Sequence, residues 1–491
     1  MAFTKGAYVM TMRWSVGVAT IVVGLLALPA GPASAHGRTL IVDDDGVQCP
    51  NANYLSIQPA INAARPGDTV RVCGGAYTGD LTIDKAIGLV AQTPAAPTVD
   101  CVAGGSPGPG TTILTGAISL TGTGAKVDGF VVTGAPTGIT TSEQSSEYQI
   151  RRNLIEGNSD FGIELQSNGA QQTVVEQNCV RSNGGGGIAS EGGKLRRAVI
   201  RSNTVADTFE AITTLGPHPR YDISISRNTI RRANYGIAVS GTVGSDITGN
   251  DIDLTNPPDA VLGAGVGVGG GNIGLTITSN TISAVFGTAV YFQREGFLAV
   301  DTGANIGILL ARNTLHDNLG SGVRVEIPAA GRPANLTSSL LFRNTADSNG
   351  VNGFAVTAGN DGNVLLDNQS TNNGRYGIAL LGADNAVVAA NTMKGNGRAD
   401  AHDDAVGQNR WIGNVCGTDE PVGALCNTPA AATATTAQSA TTTVPAPPKV
   451  GQSRWPCLRV PVWDVDPLDG GGWVWITVLA PDAPAGTYCG A

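Results

Sequence analysis

Residues 150–165 read Ile-Arg-Arg-Asn-Leu-Ile-Glu-Gly-Asn-Ser-Asp-Phe-Gly-Ile-Glu-Leu, and this stretch contains every part of a unit that returns along the chain. Asn153 has an apolar residue three positions before it and another two positions after it. Asn158 follows, and then Gly162 precedes an apolar-x-apolar triplet. Such alternation is typical of short β-strands, because successive side chains of a strand point to opposite faces.

The unit recurs along most of the chain at a nearly regular interval. The asparagines at the position of Asn153 are Asn153, Asn178, Asn203, Asn228, Asn250, Asn280, Asn313, Asn344, Asn368 and Asn391. The first three intervals are 25 residues each, and the later ones range from 22 to 33. A second asparagine follows five positions later in six of the ten units. An internal period of this size indicates a stack of equivalent coils.

The repeat predicts the fold class. Strands of three to five residues without helices between them exclude a doubly wound sheet, and the leucine spacing of a leucine-rich repeat is absent. We therefore predict an all-β, right-handed parallel β-helix, a solenoid in which each coil pairs in register with the next. Apolar columns then form one continuous core, and the asparagines form amide ladders at the bends. The 68 glycines suit a chain with many tight turns.

A short helix is predicted to cap the N-terminal end of the stack. Ser56 is its expected N-cap, Pro66-Gly67 ends it, and its apolar face consists of Ile57, Ala60, Ile61 and Ala64. Such a helix covers the otherwise open apolar end of a repeat array. At the far end, we expect closure around Trp411 and the loop between Cys416 and Cys426.

The template resembles the repeat of the right-handed parallel β-helix superfamily, which includes pectate lyases, polygalacturonases and alginate epimerases. It is also similar to the β-helix protein of nitrous-oxide reductase maturation. The opening segment adds to this resemblance through residues 40–45, 56–64, 66–70 and 75–77. The resemblance covers roughly residues 38–426 and implies the fold rather than an activity. The Gly-His-Gly of polygalacturonases, the Asp-Pro-His of alginate epimerases and the clustered aspartates of pectate lyases are missing, so none of their catalytic sets carries over.

The chain divides into five predicted segments. Residues 1–35 read as a signal peptide, with Lys5 and Arg13 before an apolar run and Ala33-Ser34-Ala35 at the cleavage site. The other segments are the cap and first coils at 36–105, the β-helix at 106–426, an Ala/Thr/Pro linker at 427–453 and a small tryptophan-rich disulfide module at 454–491. We expect a secreted, extracellular monomer without a membrane segment after cleavage.

Charge and cysteine content narrow the class of protein further. Cleavage removes Lys5 and Arg13 and no acid, which leaves 28 basic and 39 acidic side chains and a net charge of −11. No basic cluster appears, so a nucleic-acid partner is excluded.

Eight cysteines in an exported chain favour disulfides. Proximity in the sequence predicts Cys49–Cys73, Cys416–Cys426 and Cys457–Cys489, and leaves Cys101 and Cys179 without an assigned partner.

The predicted functional site lies on the strand that follows the glycine of each unit, the position of Gly162 in the first unit. Alternation places one outward column at Glu164, Ala189, Thr213, Ala238, Ala289, Arg324, Ala355 and Ala379. Tyr291, Arg324 and Glu326 then become neighbours, between loops predicted at 293–309 and 327–340. Tyr291 and Arg324 are the expected polysaccharide-binding residues, and Glu326 and Arg324 the candidate catalytic pair. The alternative is an exposed ion pair beside a surface tyrosine.

For the other ionisable and aromatic residues, a structural role is weighed against a catalytic, metal-binding or sugar-binding role. His316-Asp317 is a turn candidate with a weaker catalytic alternative, and His402-Asp403-Asp404 is expected to close the last coil. Asp43-Asp44-Asp45 caps the first strand or holds calcium, the one cofactor that the sequence leaves open. Copper is disfavoured by only four histidines and four methionines. The tryptophans of the tail either stack on sugars or form the core of the module.

Two functions remain open from the sequence. The first is a secreted protein that binds an extracellular polysaccharide and processes it by lyase, hydrolase or epimerase chemistry. The second is a non-catalytic structural or adhesive solenoid, which the small side chains of the outward column favour. A third hypothesis, maturation of a metalloenzyme, follows from resemblance alone.

Overall fold

The computed structural model describes residues 37–96, 100–216, 218, 220–255, 257, 263–293, 303–328, 334–404 and 408–426. It also describes the backbone of two strands at 457–464 and 472–479. The predicted signal peptide and the predicted linker lie outside the described residues.

Parallel strands stack into three ladders that run along the molecule. The first ladder forms a 16-stranded sheet. Its strands are Thr39–Val42, Thr69–Val72, Gly88–Ala91, Lys126–Asp128, Gln149–Arg151, Thr173–Glu176, Arg196–Arg201, Arg220–Ser226, Thr242–Val243, Asp246–Thr248, Thr276–Thr278, Leu309–Ala311, Leu340–Phe342, Val364–Leu366, Val387–Ala389 and Arg410–Ile412.

The second and third ladders form one 25-stranded sheet, because two long strands, Thr204–Thr214 and Thr229–Val239, run through both. The other strands of the second ladder are Gly75–Thr78, Thr112–Thr115, Val131–Thr133, Leu154–Glu156, Cys179–Arg181, Asp251–Asp253, Thr281–Ser283, Thr314–His316, Thr345–Asp347, Gln369–Thr371 and Thr392–Lys394. Those of the third are Leu81–Ile83, Ile118–Leu120, Ile139–Thr141, Phe161–Glu164, Gly186–Ser190, Gly263–Val268, Gly287–Phe292, Val323–Val325, Phe354–Thr357, Tyr376–Leu381, Ala399–Asp403 and Asp419–Glu420.

The apolar columns predicted from the repeat are confirmed. Ile150 pairs with Val175, Val175 with Ile200 and Ile200 with Ile225, each one coil further along the first ladder. These side chains are almost fully buried and belong to one core cluster that reaches from Leu40 to Leu425. Crossovers between parallel strands of one sheet are right-handed, and the architecture is the predicted parallel β-helix.

Asparagines form a buried ladder at the bend between the first and second ladders. Asn178 Nδ2 donates to Asn203 Oδ1 at 2.9 Å, and the backbone N–H of Asn178 donates to the same oxygen at 3.0 Å. Nδ2 also donates to the carbonyl of Ile150 at 2.9 Å. The same bonds recur from Asn153 to Asn414. Each asparagine therefore fixes the bend of its own coil and the spacing to the next.

The residue before each ladder asparagine adopts a left-handed backbone conformation. The φ angles are 51° at Arg152, 57° at Gln177, 53° at Ser202 and 52° at Arg227. A side chain other than glycine pays about 1 kcal/mol or more in this region. The hydrogen bonds of the ladder offset that cost, so the bend does not need glycine.

The capping helix lies at Ile57–Ala63 and buries Ile57, Ala60 and Ile61. Ser56 occupies the N-cap position, as predicted, but its side chain makes no capping hydrogen bond. Ser56 is extended, and the helix is held by burial of its apolar face against the first coils rather than by its N-cap. The helix therefore covers the N-terminal end of the core, as predicted.

Three disulfides connect described residues. Cys49 pairs with Cys73 and Cys416 with Cys426, as proximity in the sequence predicts. Cys101 pairs with Cys179 across 78 residues, and this bond holds the 100–105 loop against the second ladder. The predicted Cys457–Cys489 pair lies outside the described residues. Disulfides are typical of oxidising compartments.

Among the described residues, none of the helices has the length and apolar content to cross a bilayer.

The far end closes around Trp411, whose indole donates to Asp403 Oδ2 at 2.8 Å. Beyond it, strands Cys457–Asp464 and Gly472–Leu479 pair as an antiparallel hairpin. The boundaries proposed at 105, 426 and 453 stay predictions.

Candidate functional site

The outer face of the third ladder carries two columns of side chains, which we call the third-ladder face. The first column includes Phe161, Gly186, Glu210 and Tyr235. The second column lies three residues further along each coil and includes Glu164, Ala189, Thr213, Ala238, Gly267, Tyr291, Arg324, Ala355, Ala379 and His402. Small members of the second column are almost completely buried although they point away from the core. They form a floor between larger neighbours.

The structure brings Tyr291, Arg324 and Glu326 together, but in a register that differs from the predicted one. Tyr291 pairs directly with Arg324. Ala289, which was predicted in that column, is instead buried in the core. It lies nine residues after Asn280, the position that glycine takes after Asn153 and Asn313, and alanine is small enough to point inward there. Tyr291 therefore stands one coil from Arg324 on the same column.

Arg324 is already engaged by both of its predicted neighbours. Its Nε lies 2.7 Å from Glu326 Oε2, and its guanidinium carbon lies 6.0 Å from the centre of the Tyr291 ring. The side chains of Arg324 and Glu326 are 47% and 28% exposed. The loops predicted to wall this site fall partly on 294–302 and 329–333, outside the described residues. The cluster presents an aromatic ring beside a partly exposed ion pair, and its catalytic role stays a prediction.

The histidine candidates have local partners. His316 Nδ1 lies 2.7 Å from Asp317 Oδ2, and the next coil places Asp347 beside His316. His402 stacks on Tyr376 with ring centres 4.5 Å apart, and its Nδ1 lies 3.2 Å from Glu420 Oε2. Asp403 accepts from Trp411 and Asn409, which is the structural role expected at the closing coil.

A group of carboxylates, of which the repeat pattern indicated only Glu164, lies further towards the N-terminus of the third-ladder face. Burial raises the pKa of Glu210 to about 7, and the charge of Glu191 adds to the effect. Burial also raises the pKa of Glu191, and Asp160 and Glu164 act in the same direction. Within the described part of the chain, Glu210 Oε2 is buried without a hydrogen-bond partner. Glu210 therefore holds its proton up to a pH near neutrality, and its buried Oε2 lacks a hydrogen bond.

Two aromatic residues lie next to this carboxyl group: Phe209 precedes Glu210 on the same strand, and Tyr235 lies on the neighbouring strand. Tyr235 pairs with Glu210 in register, and burial together with the charge of Glu210 raises the pKa of the tyrosine. The rings of Phe209 and Tyr235 lie 6.0 Å apart. Aromatic surface beside a protonated carboxyl group is the environment in which burial maintains a general acid.

The charge of the buried Arg220 opposes the raised pKa of Glu191. Its guanidinium donates to the carbonyls of Ser190 at 2.7 Å and His218 at 2.8 Å, and also to that of Leu215. Burial lowers the pKa of Arg220 to about 10, while the charge of Glu191 opposes the shift. The buried cation is therefore tied to backbone oxygens and fixes the segment that follows Thr214.

One sequence signal marks this location. The second asparagine of the unit is replaced by Thr208 and Ala233, and the corresponding strands, Thr204–Thr214 and Thr229–Val239, run on without a turn. Glu210 lies on the first of these uninterrupted strands. The second asparagine is also absent from the next two units, whose strands Asp251–Asp253 and Thr281–Ser283 stay short, so its loss is a weak signal that did not reveal the chemistry.

The aspartates of the opening segment satisfy backbone donors. Their carboxylate oxygens lie within 4.8 Å of one another, which makes them the only group of three potential metal ligands among the described residues. Asp43 accepts from the N–H of Cys49 at 2.7 Å, Asp44 from Ala76 at 3.0 Å and Asp45 from Val47 at 2.8 Å. These bonds close the turn after the first strand, which is the structural alternative to calcium.

The chain is similar to one protein family and to several solved structures. The family model of a periplasmic copper-binding protein, NosD, matches residues 106–318. None of the curated proteins matches the chain.

Among solved structures, the mannuronan C-5 epimerase AlgE4 A-module of Azotobacter vinelandii is 16% identical, with 73% of this chain and 89% of that chain covered and a TM-score of 0.38. The catalytic unit of a GH87 α-1,3-glucanase from Streptomyces thermodiastaticus is 14% identical, with 74% and 66% covered and a TM-score of 0.41. The tailspike protein of E. coli bacteriophage HK620, solved as a double mutant, is 11% identical, with 77% and 78% covered and a TM-score of 0.46.

The chain is a right-handed parallel β-helix protein. Its described residues do not fit copper, because copper sites use imidazole, thioether or thiolate ligands. His316 and His402 lie on separate coils, each beside a carboxylate, and the one group of three potential ligands in the described ranges consists of aspartates. We therefore derive no copper chemistry for this β-helix protein.

Proposed function

We propose that this protein binds an extracellular polysaccharide along the third-ladder face and hydrolyses it with Glu210 as the proton donor. The observation that carries the proposal is the buried carboxyl group of Glu210, whose Oε2 has no hydrogen-bond partner among the described residues and whose pKa burial raises to about 7. A general acid works best when its pKa lies near the operating pH.

The remaining carboxylates define the chemistry and the class of polymer. Glycoside hydrolysis uses one protonated and one ionised carboxyl group, and Glu191 is the second carboxyl group close enough to affect Glu210. Asp160 and Glu164 add negative charge around Glu191. A uronate carboxylate is repelled by such a group, so we favour a neutral or amino-sugar polymer over a polyuronate.

The ladder geometry suits an extended chain rather than a small ligand. Equivalent residues of adjacent coils are about 4.8 Å apart, so consecutive columns offer regularly spaced contacts. Tyr235 lies beside the carboxylates, and Tyr291 with Arg324 lies two and three coils further on. In this proposal, the Tyr291, Arg324 and Glu326 cluster is a binding subsite of the same polymer.

A second candidate is a non-catalytic solenoid of the cell exterior. It is favoured by the second column, in which alanine, glycine and threonine occupy most coils. A polymer panel separates the two functions. New reducing ends from a neutral or amino-sugar polymer support the hydrolase, and binding confined to polyuronates contradicts it. Neither binding nor cleavage on any polymer favours the structural solenoid.

Arg324→Ala and Glu326→Gln are expected to weaken binding of the responding polymer by about two- to fivefold, because exposed cation–π and ion-pair contacts contribute about 0.5–1 kcal/mol. Calorimetric titration measures the effect. Arg343→Ala is the matched control, since Arg343 forms a comparable 2.7 Å pair with Asp367 on the first ladder. Equal affinities for all three variants and the natural protein exclude this cluster from the binding surface.

A further inference from the structure

The acidic group that follows the first strand carries charge that no described basic side chain neutralises. Asp43, Asp44 and Asp45 offer carboxylate oxygens that lie within 4.8 Å of one another. Asp43 is fully buried. Among the described residues, the ion pairs include none of these three aspartates. Buried charges in proteins are paired or coordinate a metal, so the group lacks the positive partner that a buried carboxylate requires.

One oxygen of this group is buried without a hydrogen bond. Asp44 Oδ2 accepts from the backbone N–H of Ala76 at 3.0 Å, whereas Asp44 Oδ1 is buried and has no partner in the described part of the chain. The carboxylate lies directly against Gly75, where a Cβ atom would stand 2.2 Å from Oδ1. Buried acceptors without a donor are rare and costly. A cation bound at Oδ1 removes that cost.

The side-chain amide of Gln48 points at the same group. One of its terminal atoms lies 3.1 Å from Asp43 Oδ1, 3.0 Å from Asp45 Oδ1 and 3.0 Å from the carbonyl oxygen of Gly74. All three neighbours are acceptors, and an amide nitrogen at that point has only two hydrogens for them. An amide oxygen at that point is instead a further ligand, because a cation can lie between it and the acceptors.

A disulfide joins the two segments that supply these oxygens. Gln48 precedes Cys49 in the chain, and the backbone N–H of Cys49 donates to Asp43 Oδ2 at 2.7 Å. Gly74 follows Cys73, which is bonded to Cys49. The oxygens are therefore held in place before a ligand arrives, and this arrangement lowers the entropic cost of binding.

We propose that this group is a calcium site that fastens the end of the first strand to the start of the second ladder. Its expected ligands are the carboxylates of Asp43, Asp44 and Asp45, the amide oxygen of Gln48 and the carbonyl oxygen of Gly74. Calcium binds oxygens at about 2.3–2.6 Å, so two ligands of one ion lie at most about 5 Å apart. The 4.8 Å limit of the group fits this geometry. Magnesium keeps several waters and suits such a site less well.

Calorimetric titration of the chelator-treated full-length protein with calcium tests the site, in about 0.15 M salt to screen exposed charges. The natural protein is expected to bind one ion per chain with a Kd of about 10⁻⁵–10⁻³ M. Asp45→Asn removes a charge but keeps an acceptor for the N–H of Val47, now 2.8 Å from Asp45 Oδ1. This variant is expected to bind calcium about tenfold more weakly or worse, because affinity follows the charge of the ligands.

Asp80→Asn is the matched control. Asp80 also accepts from a backbone N–H, that of Ala117 at 2.9 Å, and it lies outside the acidic group. This variant is expected to bind calcium like the natural protein. Absence of saturable binding overturns the proposal. Equal affinity in Asp45→Asn and the natural protein also overturns it, because surface charge alone then attracts the ion.

Replacing Gln48 with glutamate separates a cation site from a group that the amide nitrogen closes. A fourth carboxylate is expected to tighten calcium binding about three- to tenfold. With a chelator, Gln48→Glu is expected to unfold at a lower temperature than the natural protein, because like charges then repel. Calcium is expected to restore the unfolding temperature, since it binds the folded state. If calcium leaves the unfolding temperature of Gln48→Glu unchanged, the amide nitrogen closes the group and the proposal is wrong.

Discussion

Replacing Glu210 with glutamine is expected to reduce polysaccharide turnover by about 10²–10³-fold, because glutamine keeps the shape of the protonated carboxyl group but cannot release a proton. The pH profile gives a second readout. Burial raises the pKa of Glu210 to about 7, so the natural protein is expected to lose activity as the pH rises through that value. Measurement of initial rates of reducing-end formation between pH 4 and 9 tests both statements.

The same substitution is also expected to change how the free energy of unfolding varies with pH, an effect that needs no substrate. The pKa of Glu210 is higher in the folded state, about 7 against 4.5, so the folded protein holds the proton more tightly than the unfolded chain. Stability contributed by this proton is fully present below about pH 4.5 and is lost as the pH rises to about 7. After a discount for the partial exposure of Glu210, we expect a loss of roughly 1–2 kcal/mol.

Urea unfolding at pH 5 and pH 8 measures this difference. Glu210→Gln removes the titrating group and is expected to be the more stable protein at pH 8. Glu164→Gln removes a carboxylate from the neighbouring column and is expected to keep the natural pH dependence. A pH dependence in Glu210→Gln identical to that of the natural protein contradicts the buried proton. Unchanged turnover with altered pH dependence contradicts only its catalytic role.

The repeat predicted the core well because equivalent positions of successive coils face the same neighbours. The columns at Ile150, Val175 and Ile200 follow from side-chain alternation and a constant interval alone. The backbone at the bends did not follow from the sequence. Arg152, Gln177 and Ser202 adopt left-handed conformations that usually favour glycine. They do so because the asparagine of the next coil supplies hydrogen bonds. The repeat indicated these ladders, but not the left-handed conformation of the residue before each asparagine.

The site was harder to predict than the fold, because it depends on which coils lose or gain a residue. Gly186 pairs with Glu210 at an interval of 24 residues, whereas Cys179 pairs with Thr204 at 25. This slip of one residue sets Glu210 opposite Gly186, and the charge of Glu191 still acts on Glu210, although both glutamates look isolated within their own repeats. The misplaced Ala289 has a similar cause, since counting from a glycine gave a different register from counting from Asn280.

Replacing Asn228 with leucine is expected to lower the free energy of unfolding by roughly 3–5 kcal/mol. Asn228 Oδ1 accepts from both the backbone N–H and Nδ2 of Asn203, each at 3.0 Å, and its own Nδ2 donates to Ile200 O at 2.9 Å and Asn250 Oδ1 at 3.0 Å. Leucine fills the space but leaves these buried partners without their bonds, and each unsatisfied buried group costs about 1–3 kcal/mol.

The effect is expected to exceed that of an ordinary buried hydrogen bond, because the ladder also offsets the left-handed backbone before each asparagine. Arg227 has a φ of 52°, and its conformation depends on the bend that Asn228 closes. Urea unfolding at constant pH provides the free energy. Asn62→Leu, on the exposed side of the capping helix, is the control and is expected to stay within about 0.5 kcal/mol of the natural protein. A loss below about 1 kcal/mol for Asn228→Leu would mean that the apolar columns alone set the coil spacing, and that the amide ladder is a consequence of the stack rather than one of its causes.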